Sequence, residues 1–136
     1  MSDPAAVAQR YYEALGRNDA AAVSSLLTDD APVNVPGGTL TGGAQFRGWM
    51  QAFFDAFPDI GHTHTPLAVS GDSVAAEVRV TGTHTAPLVS PDGTIEPTGK
   101  PIVLNAKNTM EVADDRIVGL TIDFDQADFM RQLGMG

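Results

Sequence analysis

The chain has 136 residues, of which 43% are hydrophobic and 18% charged; this is enough for one domain with a real core, and it does not fit a disordered chain. Eight Lys and Arg stand against 17 Asp and Glu, a formal net charge of −9, so attraction to nucleic acid or to an anionic membrane surface is disfavoured. The chain has no cysteine, which excludes disulfides, thiolate catalysis and Cys-ligated metal sites.

Helical spacing of apolar residues in the first third of the chain predicts two helices that form a hairpin. The first helix begins at a capping residue, Ser2 or Asp3, and ends at Gly16. The second begins at Asn18 or Asp19 and ends at the polar run of residues 28–30. Residues 31–35 then read as a short strand, and the turn-forming sequence at 36–38 closes it.

A third helix is predicted from about Gly43 to Pro58. It carries a wide apolar stripe at three- and four-residue intervals, formed by Phe46, Trp49, Met50, Phe53, Phe54 and Phe57. Trp49 and Phe53 are candidates to line a ligand pocket, although aromatic residues at this spacing serve more often as core.

The second half of the chain changes to strand-type composition rich in Val, Ile and Thr. Four strands are predicted, at residues 61–69, 73–84, 102–113 and 116–124, with a long loop at 86–101 and a short helix at 126–134. The order of elements predicts an α+β fold, a curved antiparallel sheet with three N-terminal helices on its concave side and a short C-terminal helix, in one domain over residues 1–136. Such a cone is a natural pocket for an apolar small molecule.

Several short motifs in this order resemble a known family. Segments similar to the nuclear transport factor 2-like superfamily are Arg10-Tyr11-Tyr12, residues 26–31 and residues 54–59. Segments similar to its SnoaL-like polyketide cyclase branch are Gly-Thr-His-Thr at 82–85, Pro-Thr-Gly-Lys at 97–100, the hairpin at 114–117, and Asp125 followed by Arg-Gln-Leu-Gly at 131–134.

The resemblance implies a homodimer and an intramolecular aldol ring closure of a polyketide ester, without metal or organic cofactor. It also implies an acidic acid/base residue near the end of the last strand, a position that Asp125 matches. Asp123 lies two residues earlier on the same strand face, so we keep both as catalytic candidates. Alternatively, both are solvated charges at the strand end, or Asp125 caps the last helix.

Two further relatives within the superfamily fit the sequence less well. Tyr11 matches the oxyanion tyrosine of ketosteroid isomerases, but their catalytic aspartate corresponds to Val35 and their oxyanion aspartate to Lys107. The Asp-Arg-Asp set of limonene-epoxide hydrolases is not matched either, because residues 101–113 contain no arginine.

The strand at 102–113 places Asn105 and Lys107 on one face and Asn108 on the other, and the pattern does not say which face is inside. All three are therefore candidates for substrate binding, together with Tyr11. An inward Lys107 needs a partner such as Asp123 or a substrate oxyanion, whereas an inward Asn108 offers a neutral donor for an enolate.

The three histidines support less specific hypotheses. His84 ends the strand that leads into the long loop, where it could shuttle protons or anchor the loop by a hydrogen bond. His62 and His64 share a strand face and could bind a metal with a carboxylate, but polar strand surface or a dimer interface is the more common use of such a pair. We therefore predict no metal site.

The leading hypothesis is a small cofactor-independent enzyme that moves protons on an apolar carbonyl compound, in its most specific form a polyketide cyclase. The alternatives are an isomerase, dehydratase or hydrolase on the same scaffold, and a non-catalytic module for small-molecule binding or dimerisation. We also expect a homodimer through the outer sheet face. Residues 1–4 lack the basic head and apolar run of a signal peptide, so we expect a cytoplasmic protein.

Overall fold

The computed structural model describes residues 3–90 and 93–134, and it has the α+β class that the sequence predicts. Its helices are α1 (Pro4–Gly16), α2 (Ala20–Ser24), α3 (Gly42–Ala56) and α4 (Gln126–Gln132). Its strands are β1 (Pro32–Val35), β2 (Gly38–Thr41), β3 (Gly61–His64), β4 (Ala68–Ser70), β5 (Ser73–Thr83), β6 (Leu88–Ser90), β7 (Gly93–Ile95), β8 (Pro101–Ala113) and β9 (Arg116–Asp123). Ser2, a predicted cap, and Pro91, part of the predicted loop, lie outside the described residues.

The main sheet is built around the long antiparallel pair β5 and β8, which runs from Ser73 opposite Glu111 to Thr83 opposite Pro101. The strand order is β2-β1-β9-β8-β5-β3, with β4 also paired to β5. Along β8 the burial alternates: even-numbered residues are buried and odd-numbered ones mostly exposed. Because α1 and α3 cover only one face of this sheet, the even-numbered side chains of β8 face the interior and the odd-numbered ones face outward.

Side-chain caps and one glycine determine where the first three helices begin. Asp3 and Asp19 cap α1 and α2 by accepting the backbone N–H of Ala6 and Ala22 at 3.3 and 3.0 Å. At the start of α3, a Cβ on Gly43 would lie 2.5 Å from the carbonyl oxygen of Ser24. Only glycine therefore lets α3 approach the backbone of α2 this closely.

Three local predictions need correction. The second helix is shorter than predicted, because Leu26 and Thr28 instead form backbone hydrogen bonds with Ile117 at 2.8 and 3.1 Å. The predicted strand at 61–69 is interrupted around Pro66, which cannot donate to a ladder. The sheet is not wholly antiparallel, since β1 pairs with β9 in parallel.

Two strand pairs were missed by the sequence reasoning. β2 follows the predicted turn at 36–38 and pairs back onto β1. The long loop at 86–101 contains a two-stranded hairpin of β6 and β7, and Leu88 of β6 is buried in the core. Within residues 3–90 and 93–134, no helix has both the length and the hydropathy that a bilayer crossing requires.

Candidate functional site

A cavity of about 70 Å³ lies between the concave sheet face and helices α1 and α3. Of the predicted substrate-binding residues, Tyr11, Trp49, Phe53 and Asn108 line it. Ligand pockets commonly measure roughly 300–1,000 Å³, so this cavity accepts about a single ring unless side chains move. Among the described residues that line the cavity, none carries a carboxylate, an ammonium or a guanidinium group.

Asn108 is the polar side chain of β8 that faces the cavity. It is 3% exposed, and within the described part of the chain its Oδ1 atom has no hydrogen-bond partner. An unpaired buried polar atom costs about 1–3 kcal/mol, so this atom is a candidate contact for a ligand.

Of the two tyrosines of α1, Tyr11 lines the same cavity as Asn108, and Tyr12 hydrogen-bonds with the Asn108 side chain. Burial raises the pKa of Tyr11 well above its ordinary value, and the neighbouring Tyr12 adds to the effect. Burial also raises the pKa of Tyr12 to about 12, although a hydrogen bond with the Asn108 side chain works in the opposite direction. Tyr11 is thus a neutral hydroxyl at physiological pH and can donate a hydrogen bond into the cavity, which it lines.

His62 is a cavity residue that the sequence reasoning did not assign to the pocket. It is half-buried, its ring lies edge-on to Phe54 at 6.1 Å, and within the described residues its Nδ1 atom is buried without a partner. Desolvation lowers the pKa of His62 to about 4, so the imidazole is neutral near pH 7. The period-two pattern of β3 indicates that His62 and His64 share a face. It does not indicate whether that face lies inside the protein.

The lowered pKa of His62 makes folding stability depend on pH. Between the ordinary histidine value of about 6.5 and about 4, the unfolded state binds more protons, so the free energy of unfolding falls as the pH falls. From about pH 7.5 to about pH 4.5 we expect His62 to account for a loss of about 2–3 kcal/mol. We expect urea unfolding at both pH values to show that the free energy of unfolding falls less in His62→Phe than in the native protein, by that amount. Equal losses in the two proteins would contradict the prediction.

His64, the other histidine of the pair, does not line the cavity. It is exposed, stacks on Tyr12 at 4.4 Å, and donates from Nδ1 to the carbonyl oxygen of Thr65 at 2.7 Å. Across the described residues, no group of three or more His, Cys, Asp or Glu side chains lies close enough to bind a metal ion.

The predicted catalytic aspartates lie on the outer side of the sheet. Asp123 and Asp125 border an open groove of about 460 Å³, and the predicted substrate-binding residues Asn105 and Lys107 border the same groove. These four side chains are exposed and do not line the cavity. Any contact between them and a ligand would therefore be made in the groove.

Asp125 stabilises the start of α4, because its Oδ1 accepts the backbone N–H of Asp128 at 3.0 Å and caps the helix. This is one of the alternatives that the sequence left open, and it does not exclude a second use of the carboxylate. Phe124, next to it, is half-buried and borders both the cavity and the groove. The groove and the cavity are therefore neighbours.

His84 is fully buried and lies outside the cavity lining. Its Nδ1 accepts the backbone N–H of Thr98 at 3.2 Å, and its ring packs on Phe57 at 5.2 Å. Burial lowers the pKa of His84, while hydrogen bonds with the backbone of Ala86 and Ile95 oppose the change. The contacts are those of a loop anchor, one of the two roles that the sequence suggested.

Residues 8–120 match the model of the SnoaL-like domain family, so the chain belongs to this family. No curated protein matches the sequence. Among solved structures, IdmH from Streptomyces antibioticus, a candidate polyketide cyclase, is similar at 28% identity and a TM-score of 0.77, with 97% of this chain and 99% of that chain covered.

Two further structures share the fold at lower identity. A candidate SnoaL-like polyketide cyclase from Jannaschia sp. CCS1 superposes with a TM-score of 0.83 at 16% identity, covering 98% of this chain and 92% of that chain. TerC, co-crystallised with polyporic acid, superposes with a TM-score of 0.74 at 15% identity, covering 96% and 98% of the two chains. The nuclear transport factor 2-like fold and the SnoaL-like family are thus both confirmed.

Proposed function

We propose that this protein is a small enzyme of the polyketide cyclase type, which binds an apolar carbonyl compound in the cavity and catalyses proton transfer on it. The observation that carries the proposal is the uncharged, aromatic-walled cavity that Tyr11 and Asn108 line, with Oδ1 of Asn108 unpartnered among the described residues. Family membership and the similarity to IdmH, a candidate polyketide cyclase, support it.

In an aldol closure, a base removes a proton from the carbon α to a carbonyl, the enolate carbon attacks a second carbonyl, and the resulting alkoxide takes up a proton. Tyr11 and Asn108 supply the enolate oxygen with hydrogen bonds, which strengthen as negative charge develops in a water-poor site. The Asn108 amide donates after a half-turn of its terminal torsion, which exchanges Oδ1 with the nearly isosteric Nδ2.

The acid/base role is proposed for Asp125, with Asp123 as its neighbour. For this role the reacting carbonyl must lie at the Phe124 end of the cavity, so that its α-carbon faces the groove that both carboxylates border. The same carboxylate can remove the α-proton and return a proton to the alkoxide.

A non-catalytic binding module is the second candidate. It is favoured by the exposure of Asp123 and Asp125 and by the capping role of Asp125, because a desolvated carboxylate is the usual form of such a base. A binding module requires only that the cavity holds a ligand.

Deuterium exchange at carbon distinguishes the two candidates without knowledge of the natural substrate. The probe is phenylacetone, an apolar ketone with a single ring and acidic α-hydrogens, incubated in D₂O with and without protein. The enzyme should accelerate uptake of deuterium, measured as a mass increase, in proportion to its concentration. Binding of the ketone with no acceleration would favour the binding module.

We also propose a homodimer through the outer sheet face. Val103 and Val118 are 40% and 37% exposed on the outside of β8 and β9, where a partner would remove their apolar surface from water. Light scattering at micromolar concentration should give twice the chain mass of 14.2 kDa. Val103→Asp should shift the mass toward the monomer, whereas Val69→Asp, on the edge strand β4, should not; a monomeric native protein would overturn this proposal.

A further inference from the structure

The end of the cavity at His62 has a polar atom that neither protein nor water can easily satisfy. Nδ1 of His62 is buried without a partner among the described residues, and the surroundings include the ring of Phe54 and, opposite on β5, Val80. A buried water needs two to four polar partners. Because this corner has apolar walls and Nδ1 is buried, a water there would pair with little besides His62, and a ligand hydroxyl reaches Nδ1 when the imidazole turns toward the cavity.

The cavity chemistry restricts what can occupy this corner. The described lining residues contain no charged group, so a ligand that carries a permanent charge would have no counter-charge there. Trp49, Phe53 and Phe54 supply flat apolar walls suited to an aromatic ring. The volume of about 70 Å³ favours a single ring over a fused system.

The hydrogen-bonding requirement points to a hydroxyl group. A neutral imidazole carries its proton on one ring nitrogen and accepts at the other. A hydroxyl can donate to Nδ1 or accept from it, so it satisfies either tautomer.

We propose that the cavity selects a neutral hydroxyaromatic ring whose hydroxyl hydrogen-bonds to Nδ1 of His62. This rests on the proposed function, in which the cavity holds the ring of the substrate, and it adds that His62 determines specificity. Neither the metal role nor the surface role considered for His62 includes this contact.

The test compares phenol with toluene, which has nearly the same shape but no hydroxyl. Trp49 is the sole tryptophan and lines the cavity, so its fluorescence, excited at wavelengths where phenol does not absorb, reports occupancy. In His62→Phe we expect the Kd for phenol to rise about tenfold, the size of one hydrogen bond, with little change for toluene. The matched control, His64→Phe on the same strand, should change neither Kd.

Equal weakening of phenol and toluene in His62→Phe, no weakening of either, or no saturable binding of phenol to the native protein would each overturn the inference. Should His62→Phe fail to fold, imidazole ¹⁵N spectra of the native protein, which has three histidines, give the answer. Phenol and not toluene should then shift the Nδ1 signal of His62, and equal or absent shifts would overturn the inference. If deuterium exchange into phenylacetone is catalysed but phenol binding does not depend on His62, the proposed function stands and this inference does not.

Discussion

Replacing Asp125 by asparagine is expected to lower the rate of catalysed exchange or cyclisation by roughly two to four orders of magnitude. Asparagine keeps the shape and the hydrogen-bonding capacity of the side chain, but it cannot accept the α-proton. The melting temperature should change little, because asparagine caps a helix about as well as aspartate does, and the cap on the backbone N–H of Asp128 is retained. Single-turnover rates and thermal unfolding measure the two effects separately.

The controls for this substitution are two other aspartates. Asp123→Asn should lower the rate less than Asp125→Asn does. Asp114→Asn changes the same group in the β8–β9 turn, where a φ of 52° suits asparagine, and it should leave the rate unchanged. A near-normal rate in Asp125→Asn would mean that this carboxylate is a helix cap only, and it would move support to the binding module.

Asn108→Leu is expected to lower kcat by about two to three orders of magnitude, the usual cost of removing one oxyanion donor. Leucine has a similar volume and removes Oδ1, which has no partner among the described residues, but it also removes the hydrogen bond with Tyr12, so the free energy of unfolding should fall by about 1 kcal/mol. A larger change in kcat than in KM would identify an interaction made chiefly in the transition state.

Thr109→Val is the matched control for Asn108→Leu. Thr109 is the next residue of β8, on the opposite face of the sheet, so its substitution should leave both kcat and KM unchanged. Equal rates in native protein, Asn108→Leu and Thr109→Val would remove Asn108 from the enolate site.

The limits of sequence reasoning are clearest along β8. Residues 105–109 alternate between two sets that each contain polar groups, so a short window cannot identify the inner face. The whole strand resolves it, because the even-numbered positions from Ile102 to Val112 are apolar except for Asn108. Asn108 is inside because its strand neighbours bury their apolar side chains there, and Asn105 and Lys107 are outside for the same reason.

Local patterns predicted the long elements and failed where distant contacts decide. α1, α3, β5, β8 and β9 lie close to their predicted positions since each buries a periodic apolar face. Leu26 and Leu27 have helical spacing, but both lie beside Ile117, which follows Leu27 by 90 residues in the sequence. The entry of His62 into the cavity depends on sheet curvature and on Phe54 of α3, neither of which a window around β3 contains.

The hydrogen bonds around His84 let the long loop vary in length without a change in the sheet. The loop ends are held together by Gly99 donating to the His84 carbonyl at 2.8 Å, by His84 donating to the Lys100 carbonyl at 3.0 Å, and by the contact of His84 with Thr98. With the ends fixed in this way, doubling the length of the intervening segment costs only about 0.6 kcal/mol in closure entropy. Insertions between β6 and β7, which leave the buried Leu88 in place, are therefore a route by which evolution can lengthen this segment at little cost in stability while β5 and β8 keep their register.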